Sequence, residues 1–167
     1  DVAEAIELDG HKVHLPTLKG NQDGDSKNVG LDDAIDSLIS FIKTNNIEDC
    51  ILVGHSYAGM VITGAFDRLG KKFIKRLVYW NAFVPNPGES LNDMTPPEYI
   101  SLFDQIVQKD GSVSLPFPIW REAFINDGDL ELAQSTYKKL NPHPYKTFTD
   151  QIQLSQTPAE MQIGKSY

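Results

Sequence analysis

The residues best suited to chemistry lie in one short segment, Gly54-His55-Ser56-Tyr57-Ala58-Gly59. The apolar run Cys50-Ile51-Leu52-Val53 leads into the segment, and a pattern with helical spacing follows it. A serine between a buried strand and a helix lies on a tight turn, which raises its hydroxyl above the carboxyl edge of a sheet. We therefore predict that Ser56 is a nucleophile.

The neighbours of Ser56 suit this role. Gly54 and Ala58, two residues before and two residues after the serine, are small enough for a sterically crowded turn. The backbone N–H of Tyr57 would lie at the helix N-terminus, where it can donate to a developing oxyanion. The alternative is that Ser56 only N-caps the helix, but a cap does not require a glycine two residues upstream.

The partners of a serine nucleophile are harder to find, because the hydroxyl needs a general base within hydrogen-bond distance. His143 is the only histidine after Ser56, and it lies within a predicted helical region. We expect His143 to line a pocket or to be structural, and only as the least favoured interpretation to act as the base. His55 is expected to point away from Ser56, into the packing beneath the turn.

No metal or cofactor is predicted. The four histidines and the single cysteine, Cys50, show no spacing typical of a metal site. Cys50 lies within an apolar run and is expected to be a buried small hydrophobe, since cysteine packs well in cores.

Composition excludes several function classes. The chain has 167 residues, of which 40% are hydrophobic and 23% charged, as in a globular protein with one real core. Its net charge of −8 argues against nucleic acid or an anionic membrane surface as a partner. No apolar run is long enough for a membrane span, and a cytoplasmic location is favoured.

The first half of the chain alternates between predicted helices and strands. The predicted elements are a helix over 1–8, a strand from His11 to Leu15, a loop over 17–30, a helix from Leu31 to Ile42, a central buried strand over 50–55, a helix over 57–69 and a strand over 73–80. This alternation predicts an α/β fold with a parallel sheet and helices on its faces.

The pattern changes after Asn81. Helices are predicted over 96–108, 118–125, 129–140 and 147–154, with no strand between 86 and about 162. We expect residues 1–85 to form the α/β core, 86–160 an inserted helical cap, and 161–167 the start of the next core strand. Both ends of the chain look cut.

The predicted cap offers apolar side chains for a pocket. The aromatic residues are Tyr99, Phe103, Phe117, Trp120, Phe124 and Tyr137. Trp120 and Phe124 are four residues apart and should share one helix face, so we expect them to form a hydrophobic roof over Ser56. Asn81 is expected to contact the substrate or to hold a loop, and His143 is a further pocket candidate.

Two segments carry a resemblance to a known family. "LVGHSYAGMVITG" and "LVYWNAFVPNPGES" resemble the α/β-hydrolase superfamily, most closely its esterase and hydroxynitrile-lyase-like branch, which includes plant methyl esterases. "GHKVHLPTLKG" and "LNPHPYKTF" extend the resemblance over nearly the whole chain. It implies a serine esterase that acts through an acyl-enzyme on a small to medium, largely apolar ester or lactone. The implied partners are that small-molecule substrate and a second copy in a homodimer, with no cofactor.

The chain departs from the family pattern at two positions. Ala58 stands where the usual motif has glycine, and Asn81 stands where many bacterial relatives have aspartate. Since asparagine cannot stabilise an imidazolium by charge, the resemblance implies that the acid follows the next strand, beyond Tyr167. The base is expected after the last strand, and the second oxyanion donor before Asp1. Hydroxynitrile-lyase chemistry and a non-catalytic ligand receptor stay open as alternatives.

Overall fold

A computed structural model describes residues 2–167 of the chain. Its core is a sheet of three parallel strands with two helices stacked on one face. The strands are β1 (Cys50–Ser56), β2 (Ile74–Ala82), β3 (Ser112–Val113), β4 (His143–Pro144) and β5 (Gly164–Ser166). The α-helices are α1 (Val2–Leu8), α2 (Leu31–Thr44), α3 (Ala58–Leu69), α4 (Pro97–Ile106), α5 (Phe117–Ile119), α6 (Leu130–Tyr137) and α7 (Lys146–Thr149). A 3₁₀-helix spans Asn92–Met94, and a π-helical turn spans Trp120–Phe124.

The sheet that carries Ser56 has the order β1-β2-β5, and both pairings are parallel. The prediction of a parallel sheet is therefore confirmed, as is a strand that starts within 163–167. Helix α3 packs on the sheet and α2 packs on α3, so that the apolar stripe of α2 is buried. The predicted α2, α3, β1 and β2 all form, with ends within about two residues of the expected ones.

Helix α2 is held at its N-terminus by a residue from far along the chain. The carboxylate of Asp150 accepts a hydrogen bond from the N–H of Leu31 at 3.0 Å. Asp33, in the first turn, accepts from the N–H of Gly30 at 3.1 Å. A Cβ at position 30 would overlap the Asp150 carboxylate, so a side chain there would displace this acceptor. These acceptors satisfy N–H groups that have no partner within the helix.

The interior contains one buried polar network. The hydroxyl of Thr63 donates to the carbonyl of Gly59 at 2.7 Å, and the hydroxyl of Tyr79 then donates to Thr63 at 2.8 Å. Thr63 is fully buried and Tyr79 nearly so. The network joins α3 to β2 behind the β1–α3 turn, with both hydroxyls satisfied.

The prediction that β1 is buried on both faces is wrong for residues 2–167. Ile51 and Val53 point to one face of the sheet and are 56% and 54% exposed. Helix α3 covers the other face, where Gly54 is buried. An apolar run shows that both faces of a strand tolerate burial, but it does not show which face a helix covers.

The strand predicted from His11 to Leu15 does not form. These residues belong to no ladder, and Leu15 is 76% exposed. The ring of His14 instead contacts the ring of Phe41 on α2, with centroids 5.8 Å apart. Alternation of apolar and polar residues favours an extended backbone, whereas a strand also requires a hydrogen-bonded neighbour.

The helices predicted between β2 and β5 are confirmed in part. Helix α4, the turns over 117–124 and α6 lie where expected, and the carboxylate of Asp129 caps α6 by accepting from the N–H of Leu132 at 2.7 Å. The helix predicted over 147–154 ends at Thr149. Ile152 continues as extended, buried chain and exchanges backbone hydrogen bonds of 2.9 Å with residues 88 and 89. These tertiary bonds outweigh the local helical preference.

Two further details correct or complete the sequence analysis. The two-residue strands β3 and β4 pair antiparallel within the region predicted to lack strands. No helix within residues 2–167 has the length and apolar character that a bilayer crossing requires.

We expect Asp150→Ala to lower the free energy of unfolding by about 1 kcal/mol, because the N-terminus of α2 loses its acceptor. Asp150→Asn keeps an oxygen acceptor and should retain most of this stability. Urea denaturation of both variants measures the difference. Equal stability of the alanine variant and the unmodified protein would contradict the capping role.

Candidate active site

Ser56 lies on a strained turn between β1 and α3. Its φ angle is +51°, in the left-handed region that only a few per cent of non-glycine residues adopt. Helix α3 begins two residues later, at Ala58. Non-glycine residues in this conformation persist only where the surrounding structure enforces them, and they cluster at functional sites. The observed conformation is that of a serine raised on a sharp strand-to-helix turn.

Two glycines allow this turn to pack. A side chain at position 54 would place its Cβ 2.8 Å from the carbonyl oxygen of Ala58 and 2.9 Å from Cδ1 of Ile62. A Cβ at position 59 would overlap the carbonyl oxygen of Phe83. The turn therefore comes closest to the end of β2 at Gly59, which explains why alanine is accepted at position 58.

Asn81 is the extra residue of a β-bulge beside the turn. His55 pairs with Trp80 and Ser56 pairs with Ala82, so Asn81 has no partner on β1. Its φ angle is +43°, a left-handed conformation in which asparagine is among the best tolerated residues. Its exposed side chain is free to meet a ligand, and its substrate contact stays a prediction.

Tyr57 follows the serine and begins the helical backbone. The first N–H groups of a helix have no intrahelical acceptor, which leaves the predicted oxyanion role of Tyr57 possible on geometric grounds. The Tyr57 ring contacts the rings of His143 and Phe148, with centroids 4.9 and 5.7 Å away. Its hydroxyl is buried without a hydrogen-bond partner in residues 2–167. Burial raises the pKa of this phenol, and the nearby Thr147 hydroxyl opposes the rise.

His143 has both ring nitrogens engaged. Nδ1 lies 2.9 Å from the side-chain amide of Asn21, and Nε2 lies 2.8 Å from the Thr147 hydroxyl. The hydroxyl donates its one hydrogen to the carbonyl of Pro144, so Nε2 donates to the hydroxyl oxygen. Desolvation, helped by the charge of Lys27, lowers the pKa of His143 to about 4. With neither nitrogen free, His143 is not placed to take a proton from Ser56.

His55 does not lie beneath the turn as expected. The side chain is exposed on the same sheet face as Val53, and its ring contacts Trp80 with centroids 5.7 Å apart. The expectation is wrong because alternate residues of a strand share a face, and this face is the uncovered one.

Trp120 and Phe124 pack against one another. Their rings stack with centroids 5.9 Å apart, and the indole N–H of Trp120 donates to the carbonyl of Ala133 at 3.1 Å. Phe124 is 53% exposed. A shared orientation was expected from their spacing, and their role as a roof over Ser56 stays a prediction.

Several residues at the site carried no sequence signal. Asn21 meets His143 across 122 residues of chain, and Thr147 and Phe148 belong to a stretch predicted only as helix. Within residues 2–167 no cluster of histidine, cysteine, aspartate and glutamate could hold a metal ion. Cys50 is half-buried, and burial raises the pKa of its thiol, as suits a packing role.

Gly59→Ala should lower the free energy of unfolding by about 3 kcal/mol, because the added methyl group overlaps backbone that cannot easily move. The matched control is Ala58→Gly, which removes a methyl group one residue earlier and should cost no more than about 1 kcal/mol. Thermal unfolding compares the two. A Gly59 variant as stable as the control would show that the turn can separate from β2.

The buried, neutral state of His143 predicts an acid-sensitive fold. Its pKa is about 4 in the folded protein, against 6.5 for a solvated histidine, so between these values only the unfolded chain takes up the proton. The free energy of unfolding should therefore fall as pH decreases from 6.5 to 4, by at most about 3 kcal/mol. Urea titrations across this range should show a shallower pH slope for His143→Phe. An unchanged slope would contradict the assigned state.

Comparisons with known proteins agree with this geometry. A family model described as "Alpha/beta hydrolase family" matches residues 4–160. A carbendazim hydrolyzing esterase from a Nocardioides species is 43% identical over 99 residues, which are 58% of this chain and 40% of the relative. A probable hydrolase from a Phoma species is 30% identical over 62% of this chain and 42% of its own length. The chain thus spans about two fifths of the curated relatives it matches.

Solved structures show the same fold. An extracellular alpha/beta-hydrolase from a Paenibacillus species superposes with a TM-score of 0.93 at 32% identity, over 99% of this chain and 68% of that one. A methylesterase from Arabidopsis superposes with a TM-score of 0.73 at 24% identity, over 97% and 67% of the two chains. The predicted family is confirmed: this chain belongs to the alpha/beta hydrolase family.

Proposed function

We propose that the complete protein is a serine hydrolase of carboxylic esters and that Ser56 is its nucleophile. The observation that carries the proposal is the left-handed backbone of Ser56 on a turn where Gly54 and Gly59 leave no room for side chains. A serine that only capped a helix would need neither the strained φ angle nor the two close approaches. The names of the relatives, an esterase and a probable hydrolase, support this choice of chemistry.

The proposed reaction proceeds in two steps. The Ser56 hydroxyl loses its proton to a general base, and Oγ attacks the ester carbonyl carbon to form a tetrahedral oxyanion. The N–H of Tyr57 donates to this oxyanion, whose collapse expels the alcohol with the proton returned by the base. Water then attacks the acyl-enzyme by the same route and releases the carboxylic acid.

The general base of this scheme is proposed to lie outside residues 1–167. Both nitrogens of His143 are occupied, the His14 ring contacts Phe41 on α2, and the His55 ring contacts Trp80 on β2. The curated relatives are more than twice as long as the stretch they share with this chain, which leaves ample length for a base, an acid and a second oxyanion donor.

The proposed substrate is a small to medium, largely apolar ester. The helices between β2 and β5 carry several aromatic side chains, and Trp120 and Phe124 form a stacked pair that could meet an apolar group. Asn81 adds an exposed amide beside the turn. Apolar walls with a few placed polar groups are typical of small-molecule sites.

Ser56→Ala in the complete protein should lower kcat/KM for p-nitrophenyl esters at least about a thousandfold, because the nucleophile is removed. Circular dichroism should show an unchanged fold. The matched control is Ser101→Ala, which changes an exposed serine on α4 and should retain full activity. An alanine variant at position 56 with the turnover of the unmodified protein would refute the proposed function.

A further inference from the structure

We propose that His143 is a positioning residue that holds the peptide between Ser56 and Tyr57, and with it the oxyanion-binding N–H, in the reactive orientation. The role differs from the pocket-lining and general-base roles considered from sequence. It rests on the proposed function, since an oxyanion donor matters only if Ser56 is acylated. It adds a residue outside the strand-to-helix turn to the machinery of that reaction.

The first step is the contact between three rings. The His143 ring stacks on Phe148, with centroids 4.7 Å apart and planes 22° apart. Tyr57 meets His143 edge-on at 4.9 Å and 72°, and it meets Phe148 at 5.7 Å and 58°. Stacked and edge-to-face geometries are the favourable ones for aromatic pairs. The ring of Tyr57 therefore packs against His143 and Phe148 as one stacked pair.

The second step is that packing holds the Tyr57 ring, through the stacked pair and through the hydrophobic core. Its hydroxyl is buried and makes no hydrogen bond within residues 2–167. A tyrosine is normally fixed by its hydroxyl when buried, and here ring packing alone sets its position. Packing of the ring restrains Cβ and Cα of Tyr57, and we infer that it thereby restrains the adjoining peptide, which carries the N–H.

The third step is that His143 cannot move freely. Its nitrogens bind Asn21 in the loop over 17–30 and Thr147 on α7, so that two separate segments fix the ring plane. Thr147 is fully buried, and its hydroxyl also lies 2.7 Å from the carbonyl of Pro144. A ring clamped at both nitrogens is a firm support for Tyr57.

The partners of His143 also distinguish this role from that of a catalytic base. A base histidine is oriented by a carboxylate, which stabilises the imidazolium that forms. The partners here are a neutral amide and a hydroxyl, and the charge that acts on the ring is that of Lys27, which opposes protonation. The surroundings suit a permanently neutral ring.

The test uses the complete protein and an ester that it turns over. We expect His143→Ala to lower kcat about 10- to 100-fold and to leave KM within about twofold, because a misplaced donor weakens the transition state more than the ground state. The affinity for a boronic acid, which forms a tetrahedral adduct with serine, should fall in parallel with kcat.

Two further variants keep the test informative if His143→Ala fails to fold. His143→Phe keeps the ring contacts without the anchors, and Thr147→Val removes one anchor with little change in volume. Both should show a smaller loss of kcat at constant KM. His14→Ala, which removes another histidine in contact with an aromatic ring, is the matched control and should have no effect.

The outcomes separate the proposals. A raised KM with unchanged kcat would make His143 a substrate contact, and a loss of kcat as large as that of Ser56→Ala would make it the base. Unchanged kcat in all folded variants would likewise overturn the positioning role. If the unmodified protein and Ser56→Ala are equally inactive on esters, the proposed function fails first, and the positioning role fails with it.

Discussion

The close packing of the β1–α3 turn against the end of β2 is the constraint on which the other features of the site depend. Gly59 lies against the carbonyl of Phe83, whose own N–H donates to the carbonyl of Ser56 at 3.1 Å. This short connection leaves Ser56 in a left-handed conformation and gives β2 an extra residue, Asn81, in the same conformation. Strain at both positions is offset by the buried packing of α3 behind them.

The segment from His143 to Ile152 joins this turn to the remainder of the core. His143 and Phe148 hold the ring of Tyr57, Asp150 caps α2, and Ile152 exchanges backbone hydrogen bonds with residues 88 and 89. This one short segment thus contacts the turn, the helix layer and the chain that leaves β2. A change in the segment would reach the candidate active site without touching Ser56.

Sequence patterns predicted the parts of the fold whose cause is local. Helical spacing of apolar residues predicted α2, and a continuous apolar run predicted β1. Ser56 is identifiable because its small neighbours are adjacent to it in the chain. The stretch from His11 to Leu15 forms no strand because it has no ladder partner, and α7 ends at Thr149 because Ile152 bonds to residues 88 and 89; periodicity reports neither cause. The contact of Asn21 with His143 is of the same kind, since 122 residues separate them.

The most direct test of the central claim is the mass of the protein during turnover. Acid quenching of the complete protein within milliseconds of mixing with an ester, followed by peptide mass spectrometry, should show the acyl group on the peptide that contains Ser56. The adduct should be absent in Ser56→Ala. Steady ester cleavage with no acyl group on Ser56 at any quench time would contradict the account, because the strained turn would then not serve a nucleophile.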